Sequence, residues 1–240
     1  MFLGHSVQLN LTTDNLAHSV DFYQKLSWKL LDQDAEGATL TDGNLNLHLT
    51  THTDAPSPVL AYFGSDIAEV RALFNPDKVK HKGPSTGRAA FKSPNGMHIS
   101  LNERKAKFDM PDGTPTSRKP LTILGHVGEF SIPVDHLPST VGFWNKLGYE
   151  PLNSAQIPHP YAVLSDGLFV VGLHEKSTML MALAYFSPDM AARILLVQSA
   201  GVEIRPLMQT DAVRIENAAF ISPEGLTFLM FTGEPFSDKS

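Results

Sequence analysis

Hydrophobic and polar residues alternate along the chain in two rhythms. In LGHSVQLNLT, residues 3–12, Val7, Leu9 and Leu11 point one way and Gln8, Asn10 and Thr12 the other, the period of a half-buried strand. The period then lengthens: Leu16, Val20 and Tyr23 stand four and three apart, one face of a helix over 15–26. Short strands follow at 28–32 and 38–40. After an Asp42-Gly43 turn the alternation resumes in NLNLHLTT, where Leu45, Leu47 and Leu49 oppose Asn46, His48 and Thr50. Pro56 and Pro58 break the pattern, and the same order restarts: a strand at 59–64, a helix at 66–74, and strands at 79–82 and 88–92. An SPNG turn then leads into 97–102, where Met97, Ile99 and Leu101 alternate with His98, Ser100 and Asn102. Each unit reads strand–helix–strand–strand–strand.

The whole pattern is stated twice. DNLAHSVDFYQKLSWK (14–29) returns 121 positions later as DHLPSTVGFWNKLGYE (135–150). Each copy opens on an aspartate, Asp14 or Asp135, expected to cap its helix. Leu137, Val141 and Trp144 repeat the apolar face, with the second helix expected over 136–147. LGH, TDG/SDG, AYF and AAF[KI]SP[NE]G recur in the same order at offsets drifting from 121 to 129, so insertions fall in loops. The expected class is α+β, with four βαβββ units in two pairs. Domain one spans 1–103 (units 1–51 and 56–103), a polar, proline-bearing linker 104–120, and domain two 121–233 (units 121–176 and 177–233), with a tail over 234–240.

Composition narrows the function. A chain of 240 residues, 42% hydrophobic, has ample material for a core. A net charge of −6 without a lysine- or arginine-rich run argues against nucleic acid as a partner. The absence of cysteine excludes disulfides, thiolate metal sites and cysteine nucleophiles. No apolar run is long enough to span a bilayer, and the N-terminus lacks the basic and apolar regions of a signal peptide, so a cytoplasmic protein without membrane partners is expected. There is no phosphate-binding glycine loop, nucleophile elbow or H-E-x-x-H motif.

Paired βαβββ units, with Leu16, Ser19-Val20 and Phe22-Tyr23 after the first strand and an SPNG or SPEG turn before the last, resemble the vicinal oxygen chelate superfamily. Its members include glyoxalase I, extradiol dioxygenases, fosfomycin-resistance enzymes and bleomycin-binding proteins. The resemblance implies two glyoxalase-like domains whose mixed sheets curl, barrel-like, around a cavity. In the enzymes, side chains on the first and last strands of the units hold a divalent metal that two substrate oxygens chelate. At the matched positions this chain offers Gln8, His48, Val59 and Ser100 in domain one, and Glu129, Gly172, Ala182 and Leu229 in domain two. The family pattern needs three or four of His, Glu or Gln. Neither domain supplies them, so a divalent metal remains the cofactor the family suggests while no metal ligand is assigned.

The candidates are therefore ligand-binding residues. His48 lies mid-strand opposite three leucines, and Gln8, Asn10, Asn46, His98 and Ser100 share its polar face, which lines either a wet pocket or an open sheet. In domain two Glu129 is the candidate catalytic residue, a general base, with His174 as its partner; the alternative is an ion-paired or solvent-facing carboxylate. His5 and His126 read as structural, and His52, His81, His136 and His159 as loop residues without evident chemistry. Three functions follow. The first is a small-molecule-binding protein with a family cavity but no complete metal site. The second is a metal-dependent lyase or ring-cleaving dioxygenase, and the third a non-catalytic interaction protein. A homodimer is possible, since family members pair units within and between chains.

Overall fold

A computed structural model describes residues 3–73, 80–81, 87–157, 159–176, 180–207 and 215–235. Two mixed sheets of eight strands each carry the chain. The first runs β2 (Lys29–Gln33), β3 (Gly37–Thr41), β4 (Asn46–Thr50), β1 (Ser6–Thr12), β5 (Val59–Phe63), β8 (His98–Asn102), β7 (Arg88–Lys92), β6 (Lys80–His81). The second has the same order: β10 (Glu150–Ala155), β11 (Tyr161–Ser165), β12 (Val170–Glu175), β9 (His126–Val134), β13 (Ala182–Ser187), β16 (Thr227–Thr232), β15 (Ala218–Ile221), β14 (Arg205–Pro206). In each sheet the first strands of the two units pair antiparallel at the centre, β1 on β5 and β9 on β13, which joins two units into one surface. This is the α+β arrangement of four βαβββ units read from the sequence. Among the described residues no helix is long and apolar enough to cross a membrane.

The strand alternation puts Val7, Leu9, Leu11, Leu45, Leu47 and Leu49 in the core. One apolar cluster runs through both halves, and the helices fasten it. From α1 (Leu16–Lys25), Tyr23 meets Phe228 of the second sheet with ring centroids 6.2 Å apart, and Phe22 meets Phe220 at 6.1 Å. In return, Phe143 of α3 (Leu137–Lys146) meets Phe91 of the first sheet at 6.4 Å. The expected caps are each one residue early. Asn15 caps α1, its Oδ1 accepting from the His18 N–H at 3.1 Å, and His136 caps α3, its Nδ1 accepting from the Ser139 N–H at 3.3 Å. A cap must sit immediately before the first helical residue to reach that donor, and Asp14 and Asp135 stand one position too far out. On α3 Val141 is half-buried and packs against the core as expected, and Thr140 beside it is buried too, its hydroxyl donating to the His136 carbonyl and Asn95 Oδ1.

Polar contacts between the halves are reciprocal. The Tyr62 hydroxyl donates to Asp166 Oδ2 at 2.6 Å, and the Tyr185 hydroxyl donates to Asp42 Oδ2 at 2.7 Å. Each aspartate sits in its Asp-Gly turn, its Oδ1 accepting two backbone N–H groups from that turn. Burial pushes both carboxyls above the usual range, against the pull of these hydrogen bonds. Between the turns lies Arg118, only 3% exposed, whose Nη1 donates to the Asn44 carbonyl at 2.7 Å and the Leu168 carbonyl at 3.0 Å. Segment 104–120 is thus no loose tether: Met110 packs on the core, and the Arg118 Nε donates to the Pro111 and Gly113 carbonyls.

Candidate ligand cavity

The inner face of the first sheet encloses a cavity of about 620 Å³. Its floor is built by alternation: with the leucines turned to the helices, Gln8 and Asn10 of β1, Thr39 of β3, His48 of β4 and Ser100 of β8 face the cavity. Ala61 and Ala90 leave room between them. The register sets Gln8 opposite Ala61 and Ala61 beside Ser100, while His48 stands beside Asn10 and Asn10 opposite Val59; of the two, Ala61 lines the cavity and Val59, which the gapless count gave, does not. Two residues along a strand keep the same face, which is why the slip leaves the remaining assignments intact.

His48 is the best-positioned polar group. Its Nδ1 shares a hydrogen bond with Thr39 Oγ1 at 3.0 Å. Its Cε1–Nε2 edge lies so close over Gly37 that a Cβ there would come within 3.1 Å of Cε1. Burial pulls its pKa below the usual imidazole value, against the opposing charges of Asp34 and Asp32, so the ring is neutral near pH 7. The Gln8 Nε2 donates to Asn10 Oδ1 at 2.9 Å, which orients both amides. Asn46 and His98 lie outside the cavity lining. Asn46 is buried beneath segment 104–120, its Nδ2 donating to the Asp109 carbonyl at 3.0 Å. His98, at the outer end of β8, is half-buried near Lys92, and its pKa is lowered by burial and by that cation.

In the second sheet the same positions are filled. The Glu129 carboxyl lies directly over Gly172: a Cβ there would fall 2.1 Å from Cδ and 2.2 Å from each carboxyl oxygen. Glu129 Oε1 accepts from the Ser131 hydroxyl at 2.6 Å and from His174 Nε2 at 2.5 Å. With the Nε2 proton directed at the carboxylate, Nδ1 of a neutral His174 is the acceptor for His159 Nε2 at 3.0 Å. Tyr161 stacks on the His174 ring, centroids 5.7 Å apart. His159, expected to be a bystander, is therefore the outer end of a chain running Ser131–Glu129–His174–His159. The hairpin register shows why: Tyr161 pairs with His174, which makes His159 its diagonal neighbour. Around Glu129 the inner face is apolar, Ala182, Ala184 and Leu229 packing with Phe186, Leu207 and Phe231.

Neither row suits the divalent metal that this architecture suggests. The first offers one imidazole and one neutral amide beside Ser100 and Ala61, leaving most of a tetrahedral or octahedral shell to water. In the second, the one carboxylate is turned onto Gly172 and already bonded to His174. Among the described residues no group of three or more His, Asp or Glu is arranged to hold a metal.

No protein-family model matches the sequence, and no curated protein matches it. Solved structures do. A single-site variant of homoprotocatechuate 2,3-dioxygenase from Brevibacterium fuscum aligns over 98% of this chain and 72% of its own, with TM-score 0.62 and 13% identity. Catechol 2,3-dioxygenase aligns over 99% and 90%, with TM-score 0.60 and 12% identity. Homoprotocatechuate 2,3-dioxygenase from Arthrobacter globiformis aligns over 97% and 80%, with TM-score 0.61 and 14% identity. The chain shares the fold of these dioxygenases. At such identities the likeness is one of fold, and within that fold the two cups of this chain are unlike each other.

Proposed function

We propose that this vicinal oxygen chelate-fold protein binds a small organic molecule in the cup of its first sheet, through Gln8, Asn10, His48 and Ser100, without a complete set of protein ligands for a metal. The observation that carries this reading is the contrast between the cups. The first keeps a polar cavity of about 620 Å³, whereas in the second Glu129 and an apolar cluster occupy the matched positions. A cavity with a few convergent polar groups is the usual form of a small-molecule site. A thermal-shift screen across a metabolite and antibiotic library tests it. Hits should be lost in His48→Ala and kept in Glu129→Gln, and hits that all survive His48→Ala unchanged would place the site elsewhere. Metal analysis of protein purified without chelator or histidine tag bears on the same reading, since near-stoichiometric zinc, iron, manganese or nickel would overturn it.

The buried Glu129–His174 contact favours a second reading, in which Glu129 is the acid–base residue and is resupplied with a proton through His174, whose Nδ1 accepts from half-buried His159. A carboxylate–imidazole pair screened from water is the arrangement proton transfer uses. Its mark would be a hit lost in Glu129→Gln and retained in His48→Ala.

A further inference from the structure

The rim of the first cup carries charge that its floor does not explain. Four cations, Arg88, Arg104, Lys105 and Lys107, stand on it with two carboxylates, Asp32 and Asp34. Lys107 is paired with Asp32, and Asp34 Oδ1 accepts the Glu36 N–H at 2.8 Å and the Gly37 N–H at 3.0 Å. Among the described residues Arg88, Arg104 and Lys105 have no ion-pair partner. The Arg104 guanidinium is held at the rim over the Phe63 ring, 5.9 Å from its centroid. This excess sits on a chain of net charge −6, so it is local and not the spill of a basic protein.

The duplication supplies an internal control. The last two strands repeat at an offset of 129, and at the positions matching Arg88, Arg104 and Lys105 the second half has Asn217, Gly233 and Glu234. The cations belong to the cup that is open and polar, and are missing where the cup is filled. A neutral His48 beneath them adds no positive charge but offers a ring nitrogen for a hydroxyl or amide.

We propose that the ligand of the first cup is a small organic anion, whose carboxylate, sulfonate or phosphate is met at the rim by Arg88 and Arg104 while its uncharged body rests on the floor around His48. This rests on the cavity reading above and adds the charge of the ligand. Two guanidinium groups with no ion-pair partner among the described residues suit a planar or tetrahedral oxyanion, to which each can present paired N–H donors.

The test uses matched probes by titration calorimetry at low salt: salicylate against salicylamide, phenylacetate against phenylacetamide, and phenyl phosphate against phenol. At least one anion should bind about tenfold more tightly than its neutral partner, the scale of one charge-assisted contact. That advantage should collapse in Arg88→Gln/Arg104→Gln and at high salt, yet persist in Lys25→Gln/Lys146→Gln, which removes the same charge from exposed helix ends. Preference among the three anions tells carboxylate from phosphate. The anion inference is overturned if no anion binds, if neutral partners bind as tightly, or if the advantage survives the arginine substitutions. Neutral probes lost in His48→Ala would then leave the cavity reading standing. Probes indifferent to both His48→Ala and the arginine pair would overturn the cavity reading as well.

Discussion

Gly172→Ala should be costly for a reason confined to one side chain. A methyl group at Gly172 would lie 2.1 Å from the Glu129 Cδ, less than any real contact, and both carboxyl oxygens are as close. The carboxylate must leave, giving up its bonds to His174 and Ser131 in a place where the Glu129 side chain is only 9% exposed. Losing the two hydrogen bonds that a buried carboxylate accepts costs about 1.5–3 kcal/mol each. Replacing a strand glycine returns about 0.5–1 kcal/mol. The net expectation is a loss of about 3 kcal/mol, or roughly 6–12 °C in Tm for a chain of this size. In a Glu129→Ala background the same methyl enters vacated space, so Gly172→Ala there should be neutral or mildly stabilising. Urea unfolding of the four proteins closes the cycle, with an expected coupling of about 3 kcal/mol. If Gly172→Ala costs under about 0.5 kcal/mol in the parent protein, or costs the same in both backgrounds, Glu129 does not occupy the Gly172 position and the account of the filled cup is wrong.

Arg118→Met should lower stability by about 3 kcal/mol in urea titrations, since four backbone carbonyls lose a buried donor; Arg118→Lys should not restore it, because one ammonium cannot span both turns. Tyr62→Phe and Tyr185→Phe should each cost about 1–3 kcal/mol by leaving a buried carboxyl short of a donor. The two aspartates also set a pH signature. With folded pKa values raised above the unfolded ones, their contribution favours folding at acid pH and is lost as pH rises through the raised values. Asp42→Asn/Asp166→Asn should therefore gain stability relative to the parent as pH is raised from roughly 3 to 7, and an unchanged difference across that range would show that these carboxyls are not perturbed.

What the sequence revealed tracks how far each interaction reaches along the chain. Strand faces and helix spans depend on periods of two and 3.6 residues, and Val7–Leu9–Leu11 and Leu16–Val20–Tyr23 displayed them openly. That both sheets share one strand order followed from the duplication, though the order itself was not read from the sequence. His159 was legible in principle, since the Ser165–Val170 hairpin register fixes its distance from His174, but it lay in a segment without alternation and was passed over. The cover over Asn46 was not legible, because it depends on where residues 104–120 fold back, and nothing periodic in that segment says so. Gly172 was seen as the loss of a ligand position. That the loss makes room for the Glu129 carboxyl emerges only from three-dimensional proximity.

Arg118 stands at the centre of a repeated structure, between its two Asp-Gly turns. Its Nη1 joins the carbonyl after one Asp-Gly turn to the carbonyl after the other, 2.7 and 3.0 Å away, so one side chain serves both copies at once. Fusion into a single chain makes the connecting segment a shared component that neither half owns. Cutting the chain there would produce two fragments whose interface lacks its central donor or holds it without covalent guidance. The two copies are thus tied to one relative placement, while each remains free to change its own cup.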